Sequence, residues 1–316
     1  MDALTRLVHL ARPQASLELR CQLHGSFAVP SDARPNAVPF HLALGGRCVI
    51  DVANGSSLVL EAGDLVMFPK GGAHCMRDLE RSTNKRTPLQ LSHDGMLPLE
   101  HNAGAGGSTP DVDLLCGRFD YDKGPAALLL RNLPDPLHVS LAETPSAPAL
   151  QALVTLMHGE AERRQPGALA IVTALSHALF TMALRSYGQQ HPDMPNMLTL
   201  LSDARLAPSV QALLAEPGRD WTIADLGEKA AMSRATYARR FHECAGMTVL
   251  EFLTQVRMTM AANLLTQTQR SAADIGMEVG YQSEAAFGKA FQQSMGMTPG
   301  RYRKQERGEA VSEARA

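Results

Sequence analysis

An α+β chain is predicted, with a β-barrel at the N-terminus, a helical hairpin, and an all-α C-terminal domain holding two helix-turn-helix units. Three observations predict it. Residues 15–78 carry short apolar-rich runs separated by turn signals. From Pro148 the apolar spacing changes to i, i+3, i+4, i+7. Residues 222–252 recur as 271–302: Asp225-Leu226-Gly227 returns as Asp274-Ile275-Gly276 after 49 positions, and Ser233, Phe241 and Gly246-Met247-Thr248 return as Ser283, Phe291 and Gly296-Met297-Thr298 after 50. A repeat of this period constrains the architecture before any local reading does.

The strands are expected at Ser16–Leu23, His41–Leu44, Cys48–Val52, Leu58–Leu60, Asp64–Phe68 and Leu114–Phe119. Asn54-Gly55, between Val52 and Leu58, is a hairpin signal because both central residues of a tight type I′ turn need positive φ. Residues 79–112 are polar and rich in Pro, Gly, Asn and Ser, so they are expected as a mobile insertion loop. Ala126–Leu130 is expected to begin a further element. Leu150, Leu153, Val154 and Met157 lie on one helical face, and Leu169, Val172, Leu175, Leu179, Met182 and Leu184 run through a second, longer helix. Gln165-Pro166-Gly167 joins them into an αα-hairpin over 146–190. The hairpin is either a flap packed on its own domain or a homodimer interface; the second helix is apolar on more than one face, which favours the homodimer interface. The expected boundaries are 1–145 for the N-terminal domain, 191–197 for the linker, 198–305 for the C-terminal domain and 306–316 for a disordered tail.

The net charge of −2 over 316 residues hides an asymmetry. Residues 219–307 carry 12 Lys/Arg against 9 Asp/Glu, and the remainder carries 18 against 23. A mildly basic end on an acidic body suits a nucleic-acid-reading domain attached to something else. No signal-peptide core follows the N-terminus. No uninterrupted apolar run approaches the ~20 residues that span a bilayer. A cytoplasmic protein with no membrane partner is expected, its five cysteines (21, 48, 75, 116 and 244) reduced by default.

Each repeated unit opens on a capping pattern, Thr222-x-x-Asp225 and Ser271-x-x-Asp274. A short helix, a tight turn and a second helix capped by Ser233 or Ser283 then describe a helix-turn-helix. On the second helices, Tyr237, Phe241, Phe287 and Phe291 face the core. Ser233, Arg234, Thr236, Arg239 and Arg240 in the first unit, and Ser283, Glu284 and Lys289 in the second, are the candidate DNA-binding residues. Thr248-x-x-Glu251 caps a helix between the units. Its length of about 27 Å suits two recognition helices spaced near one duplex turn. Arg301, Arg303 and Lys304 follow as candidate phosphate contacts.

Residues 219–304 resemble the AraC/XylS transcriptional regulators. The resemblance is carried by Trp221-Thr222-Ile223-Ala224-Asp225-Leu226 and by Asp274-Ile275-Gly276-Met277-Glu278-Val279-Gly280-Tyr281. Ser283, Phe287, Phe291, Gly296, Thr298-Pro299 and Tyr302-Arg303 extend it. It implies a sequence-specific regulator, probing a double-stranded operator with both serine-capped helices and working with RNA polymerase; it implies neither enzymatic activity nor a cofactor.

The run Gly63-Asp-Leu-Val-Met-Phe-Pro69-Lys-Gly71-Gly-Ala-His74 resembles the second cupin motif. Of the first motif only His41 is present, Ala43 standing where a second histidine belongs. His41 and His74 are therefore candidate metal ligands or hydrogen-bonded pocket residues. Met1–Leu4, Leu19-Arg20-Cys21, the Gly63–His74 run, Leu115-Cys116-Gly117 and Leu133-Pro134 are similar to an AraC subgroup with a cupin-type sensor that includes a reactive-chlorine-responsive activator. That resemblance implies oxidant sensing at Cys21 and Cys116. Arg20 and Arg118 lie beside them in sequence and would lower a thiol pKa if they reached sulfur. Adjacent strand residues point to opposite faces, which argues against that. A small-molecule-gated regulator without redox chemistry and a metal-dependent cupin enzyme fused to a DNA-binding domain are the alternatives.

Overall fold

The computed structural model describes residues 2–313 except 36, 81–87, 94–95, 103–108, 122–129, 131–132, 141–146 and 192–193. The chain forms two compact units. Most of the expected 126–130 element lies outside the described residues.

One unit comprises Pro13–Asp120 and Leu133–Gln190. Its strands are β1 (Gln14–Leu23), β2 (Ala28–Ser31), β3 (Ala37–Val52), β4 (Ser57–Glu61), β5 (Leu65–Met67), β6 (His74–Arg77), β7 (Leu89–His93), β8 (Pro98–Asn102), β9 (Val112–Asp120) and β10 (Leu137–Val139). The main path runs β10-β5-β3-β9-β1-β8-β7. Strand β3 organises the curl. Its first half pairs antiparallel with β5 and β9, its second half with β4 and β6. The register shifts between Ala43 and Gly45, where a bulge re-aims the strand. Two runs expected as separate strands are thus one bent strand. The expected β3–β4 hairpin forms, but not on a two-residue type I′ turn: Gly55 has φ 87° while Asn54 does not have positive φ, and the last pair is Asp51 with Ser57. The enclosed core includes Leu23, Phe27, Ile50, Leu60, Phe68, Met76 and Leu114, with Cys21, Cys48 and Cys116 among them.

The stretch expected as a mobile loop carries two strands. Strands β7 and β8 pair antiparallel, and β8 lies parallel to β1. Their polar sequence hid them because β7 forms the edge of the sheet, where Leu91 is 72% exposed and no apolar alternation is required, and β8 beside it is mostly half-buried. Helices α2 (Ala147–Arg163) and α3 (Ala168–Gln190) form the expected hairpin, Gly167 turning at φ 89°. Helix α3 is long and apolar enough to cross a membrane, with mean hydropathy 1.5. Val172, Leu179, Phe180, Ala183, Leu184 and Tyr187 are buried in the unit.

The other unit comprises residues 1–12, 121–132 and 191–316. Its helices are α1 (Ala3–Ala11), α4 (Met197–Ser202), α5 (Ala207–Ala215), α6 (Ile223–Lys229), α7 (Arg234–Ala245), α8 (Val249–Gln267), α9 (Ala272–Glu278), α10 (Glu284–Met295) and α11 (Pro299–Glu313). Helix α1 was grouped with the sensor by sequence order; it packs on α4, α5 and α8 instead. Leu7 and Ala11 are buried, Arg6 donates to the Leu214 carbonyl, and Asn263 donates to the Leu10 carbonyl. Residues 306–313, expected as tail, continue α11 as helix, and their Glu, Ala and Arg content favours that state.

Candidate functional site

The two helix-turn-helix units are α6–α7 and α9–α10. Their expected caps are in place: Thr222 and Asp225 form a reciprocal capping box, and the side chains of Ser233, Ser271 and Ser283 accept from the Thr236, Asp274 and Ala286 amides. Tyr237 and Phe241 are fully buried against Phe252, while Phe287 and Phe291 are buried with Ile275, Val279 and Tyr302. That burial turns the opposite faces outward. Ser233, Arg234, Thr236 and Arg239 are exposed on α7 and its cap, as are Ser283, Glu284 and Lys289 on α10. The side chain of Arg239 is 74% exposed and only 3.8 Å from Glu243, an ion pair of little energy.

Arg240, the remaining candidate on this helix, is engaged within the protein. Its guanidinium reaches Asp203 at 2.6 and 2.9 Å, locking α7 to the turn after α4. Asp203 also accepts from the Arg205 and Leu206 amides. Burial raises its pKa, but these hydrogen bonds outweigh that and hold the carboxyl below its ordinary range. Arg303 is likewise occupied, donating to the Leu265 and Arg270 carbonyls. Both assignments rested on sequence position, and neither partner is near in sequence.

In the sensor unit β9 lies between β1 and β3, which places Cys116 at the centre of a cluster. The register sets His41 directly opposite Cys116 and Cys21 on the diagonal, opposite Leu114. Sγ of Cys21 is 3.9 Å from Sγ of Cys116, and Nδ1 of His41 is 3.1 Å from the latter. On its other side, Nε2 of His41 is 2.6 Å from Nε2 of His74, whose Nδ1 donates to the Gly72 carbonyl at 2.9 Å. Phe68 stacks on the His74 ring with centroids 3.8 Å apart. Burial, then the neighbouring His41 ring, pushes the His74 pKa down to about 4. The neutral ring fixes the tautomers: His74 accepts from Nε2–H of His41, leaving Nδ1 of His41 open to Cys116.

The arginines beside the cysteines do not reach them. Arg20 is fully buried on the other face of β1, bonded to Asp113 at 2.6 and 2.9 Å and to Glu162. Arg118 pairs with Glu18 and Asp120. Glu100 on β8, with Oε2 3.7 Å from Sγ of Cys21, is a partner that sequence reading missed, as is the pairing of His41 with Cys116. Only the register of three strands exposes them.

Among the described residues no third metal-type donor joins His41 and His74. A tetrahedral site needs several donors aimed at one point. Here Nε2 of His41 and Nε2 of His74 address each other at hydrogen-bond distance, and the thiol sits on the opposite nitrogen of His41. Among the described residues the one cluster of three metal-type groups is Asp113, His158 and Glu162. The Arg20 cation already bridges its two carboxylates.

Residues 2–189 match the cupin family and residues 226–305 match the helix-turn-helix domain family. Over 307 residues the chain is 38% identical to an uncharacterized HTH-type transcriptional regulator of Haemophilus influenzae, covering 96% of this chain and 99% of that one. It is 32% identical over 309 residues to a putative AraC-like transcription regulator of Streptomyces antibioticus, with 96% and 99% covered. This chain is an AraC-type helix-turn-helix transcriptional regulator with a cupin domain. It is also 29% identical over 308 residues to the RCS-specific HTH-type transcriptional activator RclR of Escherichia coli, with 97% and 99% covered. The AraC-type regulator binds DNA through its helix-turn-helix domain, and its relatives are regulators rather than enzymes.

Proposed function

We propose that this AraC-type regulator is a cytoplasmic, oxidant-responsive activator whose signal is a reversible Cys21–Cys116 disulfide. The observation that carries the reading is the 3.9 Å separation of two buried thiols on adjacent strands, one of them on a histidine. A disulfide requires closure to about 2.05 Å, a displacement of side-chain size. Sulfenic acid and disulfide chemistry are reversible, as a switch requires. The relative named as RCS-specific supports a reactive chlorine species as the trigger.

Operator contact is assigned to Ser233, Arg234, Thr236 and Arg239 of the first unit and to Ser283, Glu284 and Lys289 of the second. Two copies are joined through the hairpin, where Leu156, Leu169 and Ile171 are 49%, 42% and 43% exposed, and activation involves RNA polymerase. Light scattering checks the dimer; a monomer at micromolar concentration ends that part of the reading. The central test is a mobility-shift titration with and without hypochlorite on wild type and Cys21→Ser. The wild type changes operator affinity and the variant does not. Equal responses reject the cysteine switch.

A cavity of about 500 Å³ reaching His41, His74, Met76 and Cys116 favours a second reading, gating by a small molecule. It requires thermal stabilisation by that ligand while the thiols stay reduced.

A further inference from the structure

Resting on the oxidant-sensing reading, we infer that the two cysteines have fixed and different roles: Cys116 attacks the oxidant, His41 takes its proton with His74 behind, and Cys21 resolves the product from the closed side.

Access divides the roles first. Cys116, His41, His74 and Glu100 line the cavity, and Cys21 does not. Cys21 has no exposed surface, so a small oxidant entering this cavity meets Cys116 first. Cys21 sits 3.9 Å behind it on β1, within reach of the same sulfur but away from the entrance.

Proton handling divides them again. The open Nδ1 of His41, 3.1 Å from Cys116, is a base aimed at that thiol. Nε2 of His74 stabilises the resulting imidazolium by accepting from its far side. Cys21 instead faces Glu100, whose charge opposes a thiolate. The thiol pKa values diverge accordingly. The S–H of Cys21 donating to Cys116, helped by His41 and opposed by burial, pulls the Cys116 thiol down. The same contact, together with burial, pushes Cys21 up.

The lining also selects the oxidant. Glu18, Asp32 and Glu100 contribute carboxylates, and Arg34, the cation lining the cavity, is bound to Glu18 at 2.6 Å. An acidic lining disfavours anions, so the oxidant class is a neutral hypohalous acid rather than its anion. In the first step the Cys116 thiolate attacks chlorine of hypochlorous acid. The S–Cl bond forms, the Cl–O bond breaks, and the leaving hydroxide takes the proton held by His41 as water. In the second step the Cys21 sulfur attacks the Cys116 sulfur. The S–S bond forms, chloride leaves, and the Cys21 proton passes to Glu100. Two thiols and one hypochlorous acid thus give one disulfide, water, chloride and a proton.

The test treats full-length wild type, Cys21→Ser, Cys116→Ser and His41→Gln with limiting hypochlorous acid and adds dimedone once the oxidant is consumed, followed by peptide mass spectrometry. A sulfenyl chloride that is not resolved is hydrolysed, water replacing chloride with loss of a proton, to the sulfenic acid that dimedone traps. Cys21→Ser accumulates the dimedone adduct at Cys116. Cys116→Ser labels Cys21 at least tenfold more slowly. His41→Gln slows labelling at Cys116 and moves its pH midpoint upward while the half-buried Cys75 keeps its own rate. In wild type, early time points carry the adduct on Cys116, which guards against a misfolded variant. An adduct first on Cys21, with the wild-type disulfide still forming, overturns the role assignment alone. No Cys21–Cys116 disulfide in wild type overturns the sensing reading together with it.

Discussion

The two helix-turn-helix units share a scaffold and differ in what they show to solvent. Both are serine-capped, and both pack two aromatic residues from the second helix into their cores. Yet Arg234 of the first corresponds to Glu284 of the second, Ala238 to Gly288, Arg239 to Lys289, and Arg240 to Ala290. The first helix therefore offers a cationic surface, while the second offers one lysine, one carboxylate and small residues. Charge supplies affinity on DNA, and shape and close approach supply discrimination where donors are scarce. The packing is shared between the units and the surface is not.

The largest expected effect tests the shared scaffold. A Cβ at Gly276 would lie 2.9 Å from Cγ of the fully buried Phe287, and one at Gly227 would lie 2.9 Å from the Met232 carbonyl oxygen. Gly276→Ala is expected to cost about 2 kcal/mol, since a packed ring cannot yield without strain. Denaturant melts followed by the fluorescence of Trp221, the single tryptophan, measure it. An unchanged midpoint would show that the second unit is more loosely packed than the first.

The surface comparison comes next. Arg239→Ala should weaken operator binding by roughly 1–3 kcal/mol, and Lys289→Ala by an amount toward the lower end of that range. Arg240→Ala should change affinity less than Arg239→Ala because Asp203 already holds that guanidinium. Binding isotherms at several salt concentrations decide it. Equal losses at Arg239 and Arg240 would mean that the Asp203 contact opens on DNA.

Gly288→Ala gives the second helix the residue of the first. Nothing lies within 4 Å of the added carbon, so the chain should gain about 0.5–1 kcal/mol from helix propensity. The same methyl should lower operator affinity if close backbone approach is what this position contributes. A gain in stability with unchanged binding would remove Gly288 from the contact surface.

The smallest effect is in pH. The Thr222 hydroxyl, then backbone hydrogen bonds, hold the Asp225 carboxyl below its ordinary value. Its contribution to the first unit is therefore present above the ordinary carboxylate range and lost as pH falls through the lowered value. Asp225→Asn should flatten that acid limb of the melting curve. An unchanged limb would assign acid sensitivity elsewhere.

The repeat, its caps and its aromatic cores were legible because each is local or periodic. The same holds for the Asn54-Gly55 hairpin and the two hairpin helices. Strands β7 and β8 were not legible, because the edge strand β7 needs no buried face and β8, between β1 and β7, is mostly half-buried and carries no apolar alternation. The bulge in β3 looked like a break, since Gly45-Gly46 reads as a turn. Cys21 and Cys116 came from resemblance, and the structure brings them together. The role of His41 beside Cys116 needs the β3–β9 register, which no local pattern encodes. The partners that Arg240 and Arg20 find, Asp203 and Asp113, are distant in sequence and were not legible for the same reason.

Helix α1 has a practical consequence. The first dozen residues fold into the unit that carries the operator-reading helices, so no contiguous segment contains that unit whole. A fragment starting near residue 198 would bare the groove that Leu7 and Ala11 fill and lose the Asn263–Leu10 bond. Anyone isolating this half should supply residues 2–12 as a separate peptide or graft them in front.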